Sequence, residues 1–440
     1  MIKPTPISGF PEWLPAQRLI EQRYIDTIRR VYELYGYTSL ETPAVERVSV
    51  LEAKGEVDKE IYGIGRLQGE AQQDWEMALH FDLTVPFARY VGQNYGSLHL
   101  PFKRYQIQKV WRGERPQEGR FREFYQADID VIAEDSLPLH FDAEMPAIIH
   151  EVFQRLGIRA QIRINNRKIL KGYYSACQVP EEQLIAVLRE ADKLEKIGED
   201  GVKASLLKLG LQEDIIGKCL ALSKLKGNCL SVLQRLSELK TDLPTDSNSQ
   251  MLEQGISELE FIAKELDYIP EENLIFDLGI VRGLDYYTGT IYETTLPDYP
   301  ILGSICSGGR YDNLASEFIN RKLPGVGISI GLSRLLSHLF KCGAESSTRQ
   351  CPTEYLITWP EPSMRPACLQ IARYLRQHNI PTEIYHEPQA LKKQVRYADR
   401  RGIPQVIFPH QWTPEEQMIE VKSLADGTQQ TVHISSLTQD

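Results

Sequence analysis

Two short segments, about two-thirds of the way along the chain, gather residue types that do chemistry. They are Val281-Arg282-Gly283-Leu284-Asp285-Tyr286-Tyr287-Thr288-Gly289 and Cys306-Ser307-Gly308-Gly309-Arg310-Tyr311-Asp312. Glycine is unfavourable inside strands, because it loses conformational entropy and brings no side chain to pack. Interleaved with arginine, tyrosine and aspartate, it suits a ligand pocket better than a core. Upstream, Phe102 to Glu123 holds seven Lys or Arg residues against three Glu. A fixed guanidinium gives bidentate contacts to phosphate or carboxylate oxygens, and an aromatic gives a stacking face. Standing alone, this stretch reads more readily as a solvated charged hairpin. A third segment runs from Gly325 to Gly331 into Leu332-Ser333-Arg334-Leu335, an arginine at the start of an apolar helix. By itself it is no more than a glycine at a helix start. The helix Leu391 to Gly402 gathers five basic residues against one acid, either a phosphate-binding surface or a solvated face.

These residues need elements to hold them. From Leu14 to Tyr37 apolar residues recur at helical spacing, and an extended run follows, ending at Pro43. Between Met77 and Ala133 the segments Lys103–Arg112 and Phe124–Ile132 alternate with period two, joined by a long charged loop over Gly113–Arg120. Strands joined in this way predict an antiparallel sheet. Helices are expected at Glu182–Leu194, Val202–Leu209, Asp214–Leu225 and Gln250–Leu266, interrupted by a polar loop over Pro244–Ser249. Strand character resumes at Leu274 and continues through Tyr292. Past a linker near Lys341–Arg349, strands at Thr353–Trp359, Thr382–Tyr385 and Gln405–Phe408 alternate with helices at Arg365–His378 and Leu391–Arg401. That alternation predicts a small α/β domain with a largely parallel sheet.

A chain of 440 residues is too long for one ordinary core, and 42% hydrophobic with 25% charged residues is an ordinary globular composition. No apolar run reaches transmembrane length, and Met1–Pro6 has no charged region leading into an apolar stretch, so the expectation is a cytoplasmic protein without a membrane partner. Seven scattered cysteines form no Cys-x-x-Cys pair and have no neighbouring His pattern, which argues against zinc or a disulfide framework. A net charge of −10 does not exclude nucleic acid, since binding depends on local patches.

The two glycine-bearing peptides resemble the signature peptides of histidyl-tRNA synthetases. The pattern Arg112-x-Glu114-Arg115-Pro116…Gly119-Arg120-Phe121-Arg122-Glu123-Phe124 resembles motif 2 of class II aminoacyl-tRNA synthetases, and the Arg334 segment resembles motif 3. Motif 1 is represented by the first helix and Pro43. The implied fold is α+β: an antiparallel-sheet catalytic domain over 1–167 and 268–342, a helical insertion over 168–267, and an α/β anticodon-binding domain over 350–440. The resemblance implies activation of L-histidine by ATP and Mg²⁺, transfer to the terminal adenosine of tRNA(His), a homodimer, and no zinc. Its ATP set is Arg112, Glu114, Arg120, Phe121 and Arg334. Its histidine set is Asp82, Thr84, Gln126, Asp130, Arg282, Tyr286, Tyr287 and Tyr311, with Asp130 accepting from the ring and Tyr287 bonding the other nitrogen. Asp82, Thr84 and Gln126 hold the α-amino group. Arg282 and Arg112 carry the catalytic charge, although a lone Arg282 reads equally as an ion pair with Asp285 or Glu293. Arg115, Lys392, Lys393, Arg396 and Arg400 are the implied tRNA contacts. His80 stands where many members carry arginine two positions before the acid. A non-enzymatic, histidine-binding regulatory paralogue of the ATP phosphoribosyltransferase complex is the competing reading. Such paralogues characteristically lose the arginine peptide and the C-terminal domain, both present here.

Overall fold

The computed structural model describes residues 2–52, 61–66, 75–241, 243, 247–283, 286–313 and 315–438. Asp285, and residues 244–246 of the expected polar loop, lie outside that set. The chain forms two compact bodies, one built from residues up to Pro11 with Tyr24–His338, the other from Glu12–Arg23 with Leu339 onward.

The first helix, α1 (Pro15–Leu34), begins at a proline whose missing N–H is no loss at that position. It ends three residues earlier than its apolar periodicity predicts. Gly36 adopts φ 79°, and the Gly36 and Tyr37 amides turn back to the Glu33 and Tyr32 carbonyls, closing the last turn. Next come β1 (Thr38–Ser39), β2 (Val45–Arg47), the short α2 (Val48–Leu51), β3 (Tyr62–Ile64), β4 (Met77–Leu79) and α3 (Thr84–Asn94). The long hairpin follows as β5 (Phe102–Trp111) and β6 (Glu123–Ile132), paired in register from Phe102 with Ile132 to Trp111 with Glu123. Beyond it lie α4 (His140–Arg155) and β7 (Gln161–Asn166).

The helical region contains α5 (Arg167–Ala176), α6 (Glu181–Ala191), α7 (Leu194–Lys208), α8 (Glu213–Ser223), a two-residue strand β8 (Lys226–Gly227), α9 (Cys229–Lys240) and α10 (Ser247–Glu265). Of these, α5 and α9 were not anticipated. The Asn166 and Asn228 side chains cap them by accepting amide hydrogen bonds from the first turn. Strand character does not run on from Leu274 to Tyr292. It stops after β9 (Leu274–Asp277) and restarts at β10 (Thr290–Thr295), and the peptide bearing Arg282 leaves the sheet between them. The Arg167 side chain, fully buried, donates to the Arg282 carbonyl at 2.9 Å, and its amide donates to Gly289. The body closes with β11 (Ser304–Tyr311), β12 (Gly325–Gly331) and α11 (Leu332–Cys342).

Nine strands form one sheet in the order β1-β5-β6-β12-β11-β10-β7-β9-β8, with a separate three-stranded sheet β2-β4-β3. Antiparallel pairing dominates, as expected, with parallel contacts only at β1–β5 and β7–β9. One face is covered by helices. Tyr32 of α1 donates to the Ala127 carbonyl of β6, and Arg310 of β11 pairs with the buried Asp142 of α4.

In the second body β13 (Tyr355–Ile357), α12 (Arg365–Gln377), β14 (Thr382–Ile384), α13 (Leu391–Arg401) and β15 (Gln405–Phe408) follow the expected alternation. Leu356 and Val406 pack on the side of Ala398 in α13, whereas Ile357 and Ile407 pack on the side of Ile371 and Leu375 in α12. Strands buried on both faces read as continuous apolar runs for that reason. The sheet is less parallel than expected. β16 (Met418–Ser423) and β17 (Gln429–His433) extend it, order β14-β13-β15-β16-β17, with antiparallel pairs. β16 alternates over only a few residues, burying Ile419 and Val421, and β17 is polar and almost wholly exposed. Among the described residues no helix is long and apolar enough to cross a membrane.

Candidate active site

Cross-strand partners share a face of a sheet, so the register of the nine strands sorts the polar residues of the open face into rows. One row is Gln106, Asp128, Ser329, Ser307, Glu293 and Arg163, running over β5, β6, β12, β11, β10 and β7. Two residues along the strands, a second row reads Arg104, Asp130, Gly327, Gly309, Ile291 and Asn165. The glycines of the second row are the floor of a depression. A Cβ on Gly327 would run into the Asp130 carboxylate, and one on Gly309 into the Tyr287 ring.

A cavity of about 310 Å³ opens at one end of this face, lined among others by Arg112, Glu114, Arg120, Phe121 and Arg334. Sequence reasoning named all five, and it missed Phe124, Ser304 and Cys306 beside them. Arg112 is held by its Nε–H to the Phe81 carbonyl at 3.1 Å, and its guanidinium lies 5.2 Å from the Phe124 ring centre. Arg334 leads off α11, and its Nε is buried with no partner among the described residues. Burial, with Arg120 and then Arg282 nearby, pushes its pKa down. An arginine stays charged despite such pressure, so the cavity carries uncompensated positive charge. Among the described residues Glu114 is the single carboxylate lining it, within 3.5 Å of Arg120 and 3.9 Å of Arg112.

Ser307 and Ser329 also line a second, smaller cavity of about 40 Å³, so the two share a wall. Thr84, Asp130, Tyr286, Tyr287 and Tyr311 surround it, as the sequence reading grouped them, together with Asp128. Asp130 accepts from the Tyr311 hydroxyl at 2.9 Å and pairs with Arg104 at 2.5 Å. Arg104 is fully buried, with its guanidinium 4.4 Å from the Phe87 ring centre. Burial drives the hydroxyl pKa of Tyr286, Tyr287 and Tyr311 upward, keeping all three neutral and able to donate.

Three expected residues stand elsewhere. Gln126 lines the larger cavity and donates to the Ser329 hydroxyl at 2.7 Å. Asp82 lines neither cavity, and it accepts from the Val85 amide in the first turn of α3. Arg282 also lines neither. Its side chain is 54% exposed and its Nε–H donates to Glu293 at 2.7 Å. His80 is buried against Trp111, bonding the Lys109 carbonyl at 2.8 Å, so this side chain packs beneath the hairpin. Arg104 and Asp128 were missed, although period-two alternation already put Arg104 with Gln106, and Asp128 with Gln126 and Asp130, on one face.

In the second body, Lys392, Lys393, Arg396 and Arg400 are all exposed on α13. Positions 392, 396 and 400 form a row along one side of the helix. Arg115, in the hairpin loop, is exposed as well. No group of three or more His, Cys, Asp or Glu among the described residues could hold a metal ion.

A sheet floored by glycine, an arginine-lined cavity joined to a tyrosine-lined one, and a separate α/β body define a class II aminoacyl-tRNA synthetase architecture. The C-terminal body matches an anticodon binding domain over residues 355–439, and residues 9–335 match the histidyl-tRNA synthetase family. The chain belongs to the histidyl-tRNA synthetase family. It is 50% identical to the histidine–tRNA ligase of Thermobifida fusca, over 98% of this chain and 97% of that protein, and 42% identical to that of Clostridium tetani, over 99% and 97%. A crystal structure of histidyl-tRNA synthetase from a Nostoc species superposes with a TM-score of 0.90 at 40% identity, covering 100% of this chain and 98% of that one.

Proposed function

We propose that the chain activates L-histidine with ATP, forming histidyl-adenylate and releasing pyrophosphate, and then passes the histidyl group to the 3′-terminal adenosine of tRNA(His). The observation that carries this reading is the arginine-lined cavity sharing the Ser307–Ser329 wall with the small tyrosine-lined one. A carboxylate entering from the small side meets a triphosphate on the large side, which turns a bimolecular attack into a near-intramolecular one. In the first step a carboxylate oxygen of histidine bonds to the α-phosphorus and pyrophosphate leaves. In the second, a ribose hydroxyl of the tRNA attacks the acyl carbon and AMP leaves.

Arg112, Arg120 and Arg334 bind the triphosphate, Phe121 stacks on adenine, and Glu114 orients Arg112 and Arg120. Mg²⁺ arrives with ATP as part of the substrate. Asp130, paired with Arg104, accepts from one ring nitrogen, and the neutral Tyr287 hydroxyl bonds the other. Such a site rejects amino acids that would leave these groups unpaired. Arg282 leaves Glu293 to stabilise charge developing at the α-phosphate. The surface of α13, with Arg115, contacts tRNA phosphates. Residues 168–267 are a helical insertion in the catalytic domain, the chain works in the cytoplasm as a homodimer, and the exposed edge strand β1 with α1 lies near the dimer axis.

The regulatory-paralogue reading is less supported. A structure described as an ATP phosphoribosyltransferase regulatory subunit/histidyl-tRNA synthetase from Bacillus halodurans shares the fold at 20% identity and a TM-score of 0.74. The present chain, however, retains the anticodon binding domain and the Arg282 peptide. ATP–pyrophosphate exchange with each of the twenty amino acids tests the proposal. Histidine alone supports exchange, and absence of exchange with histidine refutes it.

A further inference from the structure

Glu293 of β10 stands beside Ser307 on one side and, across the next pairing, is in register with Arg163 of β7. Its side chain is only 7% exposed, and its two oxygens face different arginines. Oε1 accepts from Arg282 Nε at 2.7 Å, whereas Oε2 lies 3.4 Å from Arg163 Nη1. Arg163 is drawn more tightly elsewhere. Its Nε and Nη2 donate to the buried Asp277 at 2.8 and 2.6 Å, and Nη2 also meets Glu195 of α7 at 2.7 Å. One guanidinium serves three carboxylates, and Glu293 receives the loosest share.

The backbone leaves Arg282 little but its side chain to move. The Val281 amide donates to Asp192 at 3.3 Å, and the Arg282 carbonyl accepts from the buried Arg167. Arg334 of the larger cavity already feels the Arg282 charge, so the two lie near each other, but entry of Arg282 into that cavity requires its guanidinium to turn away from Glu293. A carboxylate so buried is strongly disfavoured once its cation goes. Arg163 is placed to compensate. A cavity of about 240 Å³, lined among others by Arg163, Asp277, Arg282 and Glu293, gives these groups room to shift. Closing by about half an ångström brings Arg163 Nη1 to an ordinary hydrogen-bond distance from Glu293.

We propose that Arg163 is a positioning residue for Arg282: it takes up Glu293 as Arg282 swings to the α-phosphate, and so sets how readily that arginine enters the site. This inference rests on the role given to Arg282 above. Nothing in it requires Arg163 to touch a substrate.

Histidine-dependent ATP–pyrophosphate exchange by the full chain tests this with Arg163→Lys. Lysine keeps a cation for Asp277, which also has Lys226 at 4.0 Å, but a point charge lacks the fork that reaches Glu293 as well. The exchange kcat falls roughly 10-fold, with the KM for ATP and for histidine within about twofold. Adding Glu293→Gln removes the carboxylate charge that would be stranded, and kcat returns to within about threefold of the wild type. A merely structural role, exerted through Asp277, would not be rescued in this way. In an Arg282→Ala background Arg163→Lys has no further effect, because its influence passes through Arg282. The pair Arg163→Gln with Asp277→Asn, which removes the cation together with its main partner, gives the same loss and the same rescue by a second route. An unchanged kcat in the Arg163 variants overturns the proposal, as does a loss that Glu293→Gln fails to rescue or that persists without Arg282. Wild-type exchange in Arg282→Ala alone overturns the role of Arg282, and this inference with it.

Discussion

Asp128 should make the ligand-free protein less stable than it need be, by an amount that depends on pH in a calculable way. Its carboxyl sits fully buried in the centre of the sheet, and burial lifts its pKa from the ordinary 3.8 to about 7. Holding it there costs the ionised form on the order of 4 kcal/mol. Between those two values the folded chain keeps a proton that the unfolded chain has released, so stability falls as pH rises and levels off above about 7. Asparagine has the same shape and no titration. The advantage of Asp128→Asn over the wild type should therefore grow with pH, by about 2 kcal/mol from about pH 5.5 to about pH 8. Other titrating groups cancel in that difference, as does any fixed effect of the amide. The assay is urea denaturation of wild type and variant at a series of pH values, scored on the first transition because two bodies need not unfold together. A gap that stays flat with pH, or narrows as pH rises, refutes the reasoning.

Arg104→Met should destabilise the protein by about 3–5 kcal/mol, since it strands Asp130 buried without its cation; a loss below about 1 kcal/mol by the same denaturation assay contradicts this. Arg282→Ala should lower histidine-dependent pyrophosphate exchange by roughly 100-fold or more with the KM for ATP nearly unchanged. Because Arg282 is half exposed and the buried Glu293 keeps Arg163 at 3.4 Å, the melting temperature should hardly move, and unchanged exchange removes its catalytic role. Replacing Lys392, Arg396 and Arg400 together with alanine should weaken tRNA binding and reduce the slope of log affinity against log salt by about 2–3, while adenylate formation persists. An unaltered salt slope would show that α13 is merely a solvated face.

The long hairpin was legible because each strand alternates cleanly, and the two-sided burial of β13 and β15 made the second body legible as α/β. The arginines and Phe121 of the larger cavity were legible because they lie close together in sequence, within one loop and one helix start. What escaped depends on register. Arg104, Asp128, Ser307, Ser329 and Glu293 come from five different strands, and no local pattern says that they face one another. The strand expected through Tyr292 failed because an apolar run cannot reveal that Arg167, more than a hundred residues upstream, draws the Arg282 peptide out of the sheet.

By itself, the sequence determined the family and pointed to many of the residues that line the two cavities, because its motifs set particular side chains in short patterns. Only the tertiary structure decided their state. It parked Arg282 on Glu293, satisfied Asp130 with Arg104 and Tyr311, and left Asp128 buried with an oxygen unmet. Those outcomes are differences between competing partners brought within a few ångströms by strand register, and residue type alone carries no record of which partner wins.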